Sequence, residues 1–160
     1  MKKVSAGILL FRRGEVGLEV FLVHPGGPFW ANKDAGAWSI PKGEYTDTED
    51  ALTAAKREFE EETGAAVAGE FLSLGSLKQP GGKIVTAWSL ERDLDPSALR
   101  SNTFSLEWPP RSGSMQDFPE VDRGEWFSLP AARGKILKGQ LEFLTRLAAY
   151  LSANSEGSPS

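Results

Sequence analysis

The sequence of 160 residues has no cysteine, a single histidine and only two tyrosines. Without cysteine, neither a disulfide framework nor a thiolate metal site can form. That absence suits a reducing compartment, and a cytoplasmic location is expected. No apolar run approaches the ~20 residues that cross a bilayer, so no membrane partner is expected. The opening "MKKVSAGILLF" has a basic start and a short apolar run. It then passes into "RRGE" without a small-residue cleavage pattern, which reads as a first strand rather than a signal peptide. Positive charge is also in deficit. A net charge of -4 disfavours broad nucleic-acid binding, and no stable nucleic-acid partner is expected.

What is present is ordinary for a globular chain: 40% hydrophobic and 25% charged residues, enough for one packed domain. The expected organisation is a single domain over 1–152 and a disordered tail over 153–160, as a monomer or homodimer. Residues 4–12 and 18–24, rich in aliphatic side chains, read as neighbouring strands. A Gly/Pro-rich loop, "PGGPFWANKDAG", follows them. Residues 47–63 lack Gly and Pro and consist of good helix formers. Thr46 and Glu49 fit a capping box, and Gly64 stands where a terminating glycine belongs. Strand-like runs cover 66–78 and 83–91, joined by the turn "QPGG". Residues 93–120 show no clear period and read as a long loop with one short strand at most. "EWFSL" resembles a final strand, and Ile136, Leu137, Leu141, Leu144 and Leu147 have helical spacing. The fold class is therefore α/β, a mixed sheet with helices against its faces.

The stretch "GEYTDTEDALTAAKREFEEETGA" concentrates Glu58, Glu60, Glu61 and Glu62 on the predicted helix. At 100° per residue, Glu61 and Glu62 fall about 60° to one side and about 40° to the other side of Glu58, while Glu60 points elsewhere. Like charges at this spacing repel by a few tenths of a kcal/mol. The C-terminal end of a helix makes negative charge costlier still. Such a group is either a solvated face or a seat for positive charge. Arg57 and Glu49, about 80° apart around the helix, can pair and brace it. A braced but costly cluster favours a metal site. Three carboxylates of hard oxygen character suit Mg²⁺ or Mn²⁺.

From Gly43 to Ala65 the sequence resembles the Nudix hydrolase box, G-x5-E-x7-R-E-U-x-E-E-x-G-U, where U is bulky and apolar. Gly43, Glu49, Arg57, Glu58, Phe59, Glu61, Glu62 and Gly64 match, and Ala65 is a mild departure at the last position. "AGILLFRR", "EVFLVH", "WSIPKGE" and "GEWFSLPAA" resemble the strands and helix start that frame this box in the family. The resemblance implies an α/β/α sandwich with a mixed central sheet. It also implies cleavage of a diphosphate linkage by water with a divalent cofactor. Glu58, Glu61 and Glu62, helped by the Gly43 carbonyl, would hold Mg²⁺ or Mn²⁺. Arg57 would orient the glutamates, and Glu49 would pair with it. The base that activates water would be Glu58 or Glu61, with Asp117 or Glu120 in reserve.

The expected substrate is a nucleoside or dinucleoside polyphosphate. "PKG", with Lys42 before Gly43, is similar to the same triplet in diadenosine tetraphosphate hydrolases, diphosphoinositol polyphosphate phosphohydrolases and decapping enzymes. A lysine there offers a point charge to a polyphosphate chain. The tyrosine that diadenosine tetraphosphate hydrolases carry after the box is missing, and Lys83 stands near its place. Trp30 and Trp108, in Gly/Pro-rich loops with Phe29, are candidates for stacking a base. Lys33, Lys78, Lys83 and Arg111 are candidate phosphate contacts. His24 is expected to be structural. Alternatives are an ADP-ribose or nucleotide-sugar hydrolase, a diphosphoinositol polyphosphate hydrolase, an RNA 5′-pyrophosphohydrolase and an inactive nucleotide-binding module. An isoprenoid diphosphate isomerase of the same fold is disfavoured by the lack of cysteine.

Overall fold

The computed structural model describes residues 3–156. Strand β1 (Val4–Gly14) turns at Gly17 into β2 (Gly17–Pro25), pairing antiparallel from Phe11↔Val20 to Gly14↔Gly17. Along its other edge β1 runs parallel to β5 (Ile84–Glu91), from Val4↔Ile84 to Phe11↔Glu91. β4 (Leu72–Lys78) flanks β5, and β8 (Val121–Ser128) flanks β2, both antiparallel. The order is β4-β5-β1-β2-β8, a mixed sheet as expected.

β1 and β2 pair only at one end. Where they part, residues 39–44 enter the gap and end as β3 (Lys42–Glu44), which pairs with Ser5–Gly7 of β1. The Val23 and Ser39 backbones exchange hydrogen bonds of 2.9 and 3.0 Å, and the Ile8 N–H donates to the Pro41 carbonyl at 3.1 Å. The approach requires glycine at position 7, where a Cβ would press on Lys42 Cβ and the Pro41 carbonyl at 2.7 Å. Lys42 and Gly43 are thereby lodged inside the sheet.

Strand alternation divides the core between two faces. Ala6, Ile8 and Leu10 of β1, with Phe21 and Val23 of β2, pack against Ala54, Ala55 and Phe59 of helix α1 (Ala51–Thr63). Leu9, Phe11, Val20 and Leu22 face the other way, onto Ala132 of α2 (Leu129–Lys135) and Phe143, Leu144 and Leu147 of α3 (Leu141–Glu156). The expected α/β/α sandwich results.

Several boundaries differ from the sequence reading. Helix α1 starts at Ala51, capped by Asp50, whose carboxylate accepts from Thr53 N–H at 3.1 Å. The Thr46 capping box does not form. The Thr46 hydroxyl pairs with that of Thr48, and Glu49 is taken by Arg57 through two charge-assisted bonds. Gly64 does terminate the helix, left-handed at φ 81°. Residues 66–71 are irregular, with Gly69 at φ 142°, so the strand begins only at Leu72. The supposed long loop contains a hairpin, β6 (Thr103–Glu107) and β7 (Met115–Pro119), after a 3-10 turn at Pro96–Ala98. Ile136 and Leu137 precede α3: Ile136 bridges to Trp38, and Lys138–Gln140 form a 3-10 turn. Helix α3 continues to Glu156, into the segment expected as a tail, and 157–160 lie outside the described residues.

Candidate active site

Arg57 organises the acidic face of α1. Its Nε and Nη2 donate to the two oxygens of Glu49, each at 2.8 Å, and Nη1 donates to Glu58 at 2.8 Å and to both Glu61 oxygens at 3.3 Å. Helical geometry sets this up, since Glu61 lies one turn beyond Arg57, and Glu49 reaches back from just before the helix. Glu60 is exposed and points away. Glu62 turns inward, where its carboxylate accepts the Lys42 N–H at 3.2 Å.

The inserted strand β3 meets this face closely. A Cβ at Gly43 would fall within the Glu58 carboxylate, so only glycine lets the two groups coexist. Around the junction lies a cavity of about 620 Å³. Lys42, Gly43, Glu58, Glu61 and Glu62 line one side of it, and Lys83 and Glu120 join from elsewhere.

Burial governs the electrostatics here. It pushes the Glu62 carboxyl up to about 8, against the pull of the Lys42 N–H and ammonium, with Glu58 and Glu120 adding repulsion. Burial also raises Glu58, opposed by its bond to Arg57. Glu49 moves down because it accepts from Arg57, and the guanidinium moves up in return. A divalent ion bound among these buried carboxyl groups would favour their ionised forms. The donor set, carboxylates and a backbone carbonyl, fits Mg²⁺ or Mn²⁺. Among the described residues no three carboxylate or imidazole groups already stand at ligand spacing. Arg57 lies between Glu58 and Glu61, and Glu62 is turned to Lys42.

The other anticipated residues divide. Trp30 lines a smaller adjoining cavity of about 230 Å³, together with Lys42, Glu62 and Glu120. Trp108 and Arg111 are away from both cavities, in the turn of the β6–β7 hairpin. Trp108 packs edge-on against Phe29 at 5.4 Å, and Arg111 folds left-handed at φ 64° with its N–H on Glu107. Lys78 and Lys33 do not line the larger cavity, and the Lys33 ammonium sits 5.6 Å from the centre of the Trp30 ring. Of the reserve acids, Glu120 is at the cavity, whereas Asp117 is held by the Ser105 hydroxyl at 2.6 Å on the hairpin. His24 is fully buried between Asp122 at 3.0 Å and the Lys33 carbonyl at 2.6 Å, a structural setting.

Sequence reasoning passed over Gln79, Asn102 and Gln140, which also line the larger cavity. Gln140 is wholly buried; its Oε1 accepts the Ile40 N–H and its Nε2 donates to the Ser39 hydroxyl, both at 3.0 Å. It stands four positions in sequence from both Ile136 and Leu144, and a polar residue among apolar ones at that spacing was the available signal.

Comparison with known proteins agrees with this geometry. A family profile described as NUDIX domain matches residues 1–147. A search of curated proteins finds no match. Among solved structures, an Ap4A hydrolase binary complex from C. elegans superposes with a TM-score of 0.66 at 20% identity, covering 93% of this chain and 98% of that one. The NUDIX domain of Shewanella oneidensis NrtR, complexed with ADP ribose, gives 0.66 at 16% identity, covering 94% and 89%. A mutT/nudix family protein from Listeria innocua gives 0.65 at 20%, covering 98% of both chains. At these identities the likeness concerns the fold.

Proposed function

The chain belongs to the Nudix family of pyrophosphohydrolases, and from that premise we propose that it hydrolyses the diphosphate linkage of nucleoside or dinucleoside polyphosphates with Mg²⁺ or Mn²⁺. One observation carries the reading: Gly43, Glu58, Glu61 and Glu62 converge on a single cavity that also receives the ammonium-bearing Lys42 and Lys83.

The divalent ion, when bound, neutralises phosphate charge and acidifies water. Glu58, Glu61, Glu62 and the Gly43 carbonyl are the groups that would hold it. Arg57, itself fixed by Glu49, orients Glu58 and Glu61. Lys42 and Lys83 attract the polyphosphate and steady it in the cavity. Trp30 offers a ring face to the base.

Glu58 and Glu61 are both engaged by Arg57, so Glu120 is the carboxylate better placed to accept the proton of the attacking water. Its side chain makes no hydrogen bond among the described residues. Water oxygen bonds to phosphorus, the bridging P–O bond breaks, and two phosphorylated products leave. The experiment is a panel of diadenosine tetraphosphate, nucleoside triphosphates, ADP-ribose, 5′-triphosphorylated RNA and diphosphoinositol phosphates, with Mg²⁺ or Mn²⁺. Hydrolysis of at least one nucleoside polyphosphate is expected. Turnover of none of the panel would overturn the hydrolase reading, and turnover of the inositol compounds alone would overturn the substrate class.

A further inference from the structure

Residues 39–41 cross the gap between β2 and β1, and each finds a different backbone partner. Ser39 exchanges hydrogen bonds with Val23 of β2, whereas the Pro41 carbonyl accepts from Ile8 of β1. Proline brings no N–H of its own. Ile40 stands where the segment changes strands, and its N–H is taken by neither of them. The residue is completely buried, and an unpaired N–H there is costly.

The partner lies 100 residues further along the chain. Gln140 accepts the Ile40 N–H on Oε1 and donates from Nε2 to the Ser39 hydroxyl, which donates in turn to the Ile40 carbonyl at 2.7 Å. Both backbone groups of Ile40 are thus satisfied by side chains. Gln140 is itself fixed. Its N–H donates to the Leu137 carbonyl at 2.9 Å, and the Leu137 N–H donates to the Trp38 carbonyl at 2.8 Å. The neighbouring Gly139 carbonyl accepts from the Gln79 side chain at 2.6 Å.

Two residues beyond Ile40 there is little room for error. The Lys42 N–H reaches Glu62 at 3.2 Å, and Gly43 lies so close to the Glu58 carboxylate that no Cβ fits. A shift at Ile40 passes through the stiff Pro41 to both contacts. Resting on the metal-dependent hydrolase reading above, we propose that Gln140 is a positioning residue of the divalent site. It holds the strand-changing Ile40 so that the Gly43 carbonyl stays in place beside Glu58 and Glu62. The carboxylates are thereby braced by Arg57 on α1, and the carbonyl by an amide from the turn before α3. Gln140 acts through the backbone of residues 40–43.

Gln140→Met keeps the length of the side chain and removes both of its hydrogen bonds. Leu147→Ala is the comparison, since it empties part of the core under α3 without touching residues 39–43. The metal-free proteins are titrated with Mn²⁺ alone, well below their melting temperatures. Binding should weaken about tenfold or more in Gln140→Met, the order seen when a group supporting a metal ligand is lost, and less than about twofold in Leu147→Ala. Without metal, amide hydrogen exchange at Ile40 and Lys42 should quicken about tenfold more in Gln140→Met than in Leu147→Ala. Mn²⁺ binding by Gln140→Met within about twofold of wild type overturns the proposal. Equal weakening in both variants also overturns it, because the loss would then follow stability rather than the amide. Should Gln140→Met fail to fold, Ser39→Ala cuts the link from the amide to the Ile40 carbonyl. It should weaken Mn²⁺ by about threefold or more, and an unchanged affinity overturns the proposal. A wild-type protein that binds Mn²⁺ but hydrolyses none of the panel defeats the hydrolase reading alone, and the comparison of variants still decides the role of Gln140. A wild-type protein that binds no Mn²⁺ overturns both.

Discussion

Substituting Gly43→Ala probes the meeting of β3 with α1 more sharply than removing any charge. The three atoms nearest a Cβ at position 43 all belong to the Glu58 carboxyl group, and each lies within overlap distance. Glu58 must leave its place, because the backbone of Gly43 is tied to Ala6 in the β1–β3 ladder. Leaving breaks the 2.8 Å bond from Arg57 Nη1, a charge-assisted contact worth roughly 1.5–3 kcal/mol when lost in a partly buried setting. Forced packing of this kind costs about 1–3 kcal/mol overall. For a chain of this length that is a fall in Tm of roughly 2–4 °C per kcal/mol. The rate suffers more, since a misplacement near 1 Å in a catalytic group costs on the order of 10²-fold. Thermal unfolding and steady-state hydrolysis of the best panel substrate give both numbers. A Gly43→Ala protein with a rate within threefold of wild type would refute the argument that Glu58 and β3 form one site.

Gly134→Ala is the counterpart with room. Nothing lies within 4 Å of its added Cβ, and the residue is inside α2, so stability should rise by about 0.5–1 kcal/mol with the rate unchanged. Gln140→Leu strands the buried Ile40 N–H and should cost about 1–3 kcal/mol, seen as a lower denaturant midpoint. The raised Glu62 carboxyl makes the metal-free protein pH-sensitive. Between the ordinary carboxylate value of 4.5 and about 8, the native state holds a proton that the unfolded state has lost, so stability falls as pH rises through that window. Mg²⁺ favours the ionised form, so its Tm increment should be larger at pH 8.5 than at pH 6, and Glu62→Gln should flatten that dependence.

Local signals in the sequence foretold the parts of the molecule that local physics determines. β1, β2 and α1 announce themselves through apolar runs, helix formers and the closing Gly64, and Arg57, Glu58, Glu61 and Glu62 fall on one helix by spacing alone. The start of α1 did not follow, because the Thr46–Glu49 cap competes with Arg57, and a bidentate ion pair over eight residues wins. The β6–β7 hairpin carried no usable period, since most of its side chains are exposed and only Phe104, Leu106, Trp108 and Phe118 are partly covered. Trp108 looked like Trp30 in composition and context. Only the pairing of distant segments separates them, taking one to Phe29 and the other to the cavity. Gln79, Asn102 and Gln140 owe their places to the same long-range contacts.

The central claim is that Glu58, Glu61 and Glu62 form a divalent-metal centre for diphosphate hydrolysis. Glu61→Gln tests it most directly, because the Glu61 side chain is partly exposed and its loss leaves the fold's core untouched. Hydrolysis of the best panel substrate should fall by about two to three decades at saturating Mg²⁺, the order expected on losing one preorganised group of a catalytic centre. The melting temperature without metal should stay within a few degrees of wild type. Near-normal hydrolysis by the Glu61→Gln protein, or a wild-type rate indifferent to EDTA, would contradict the account.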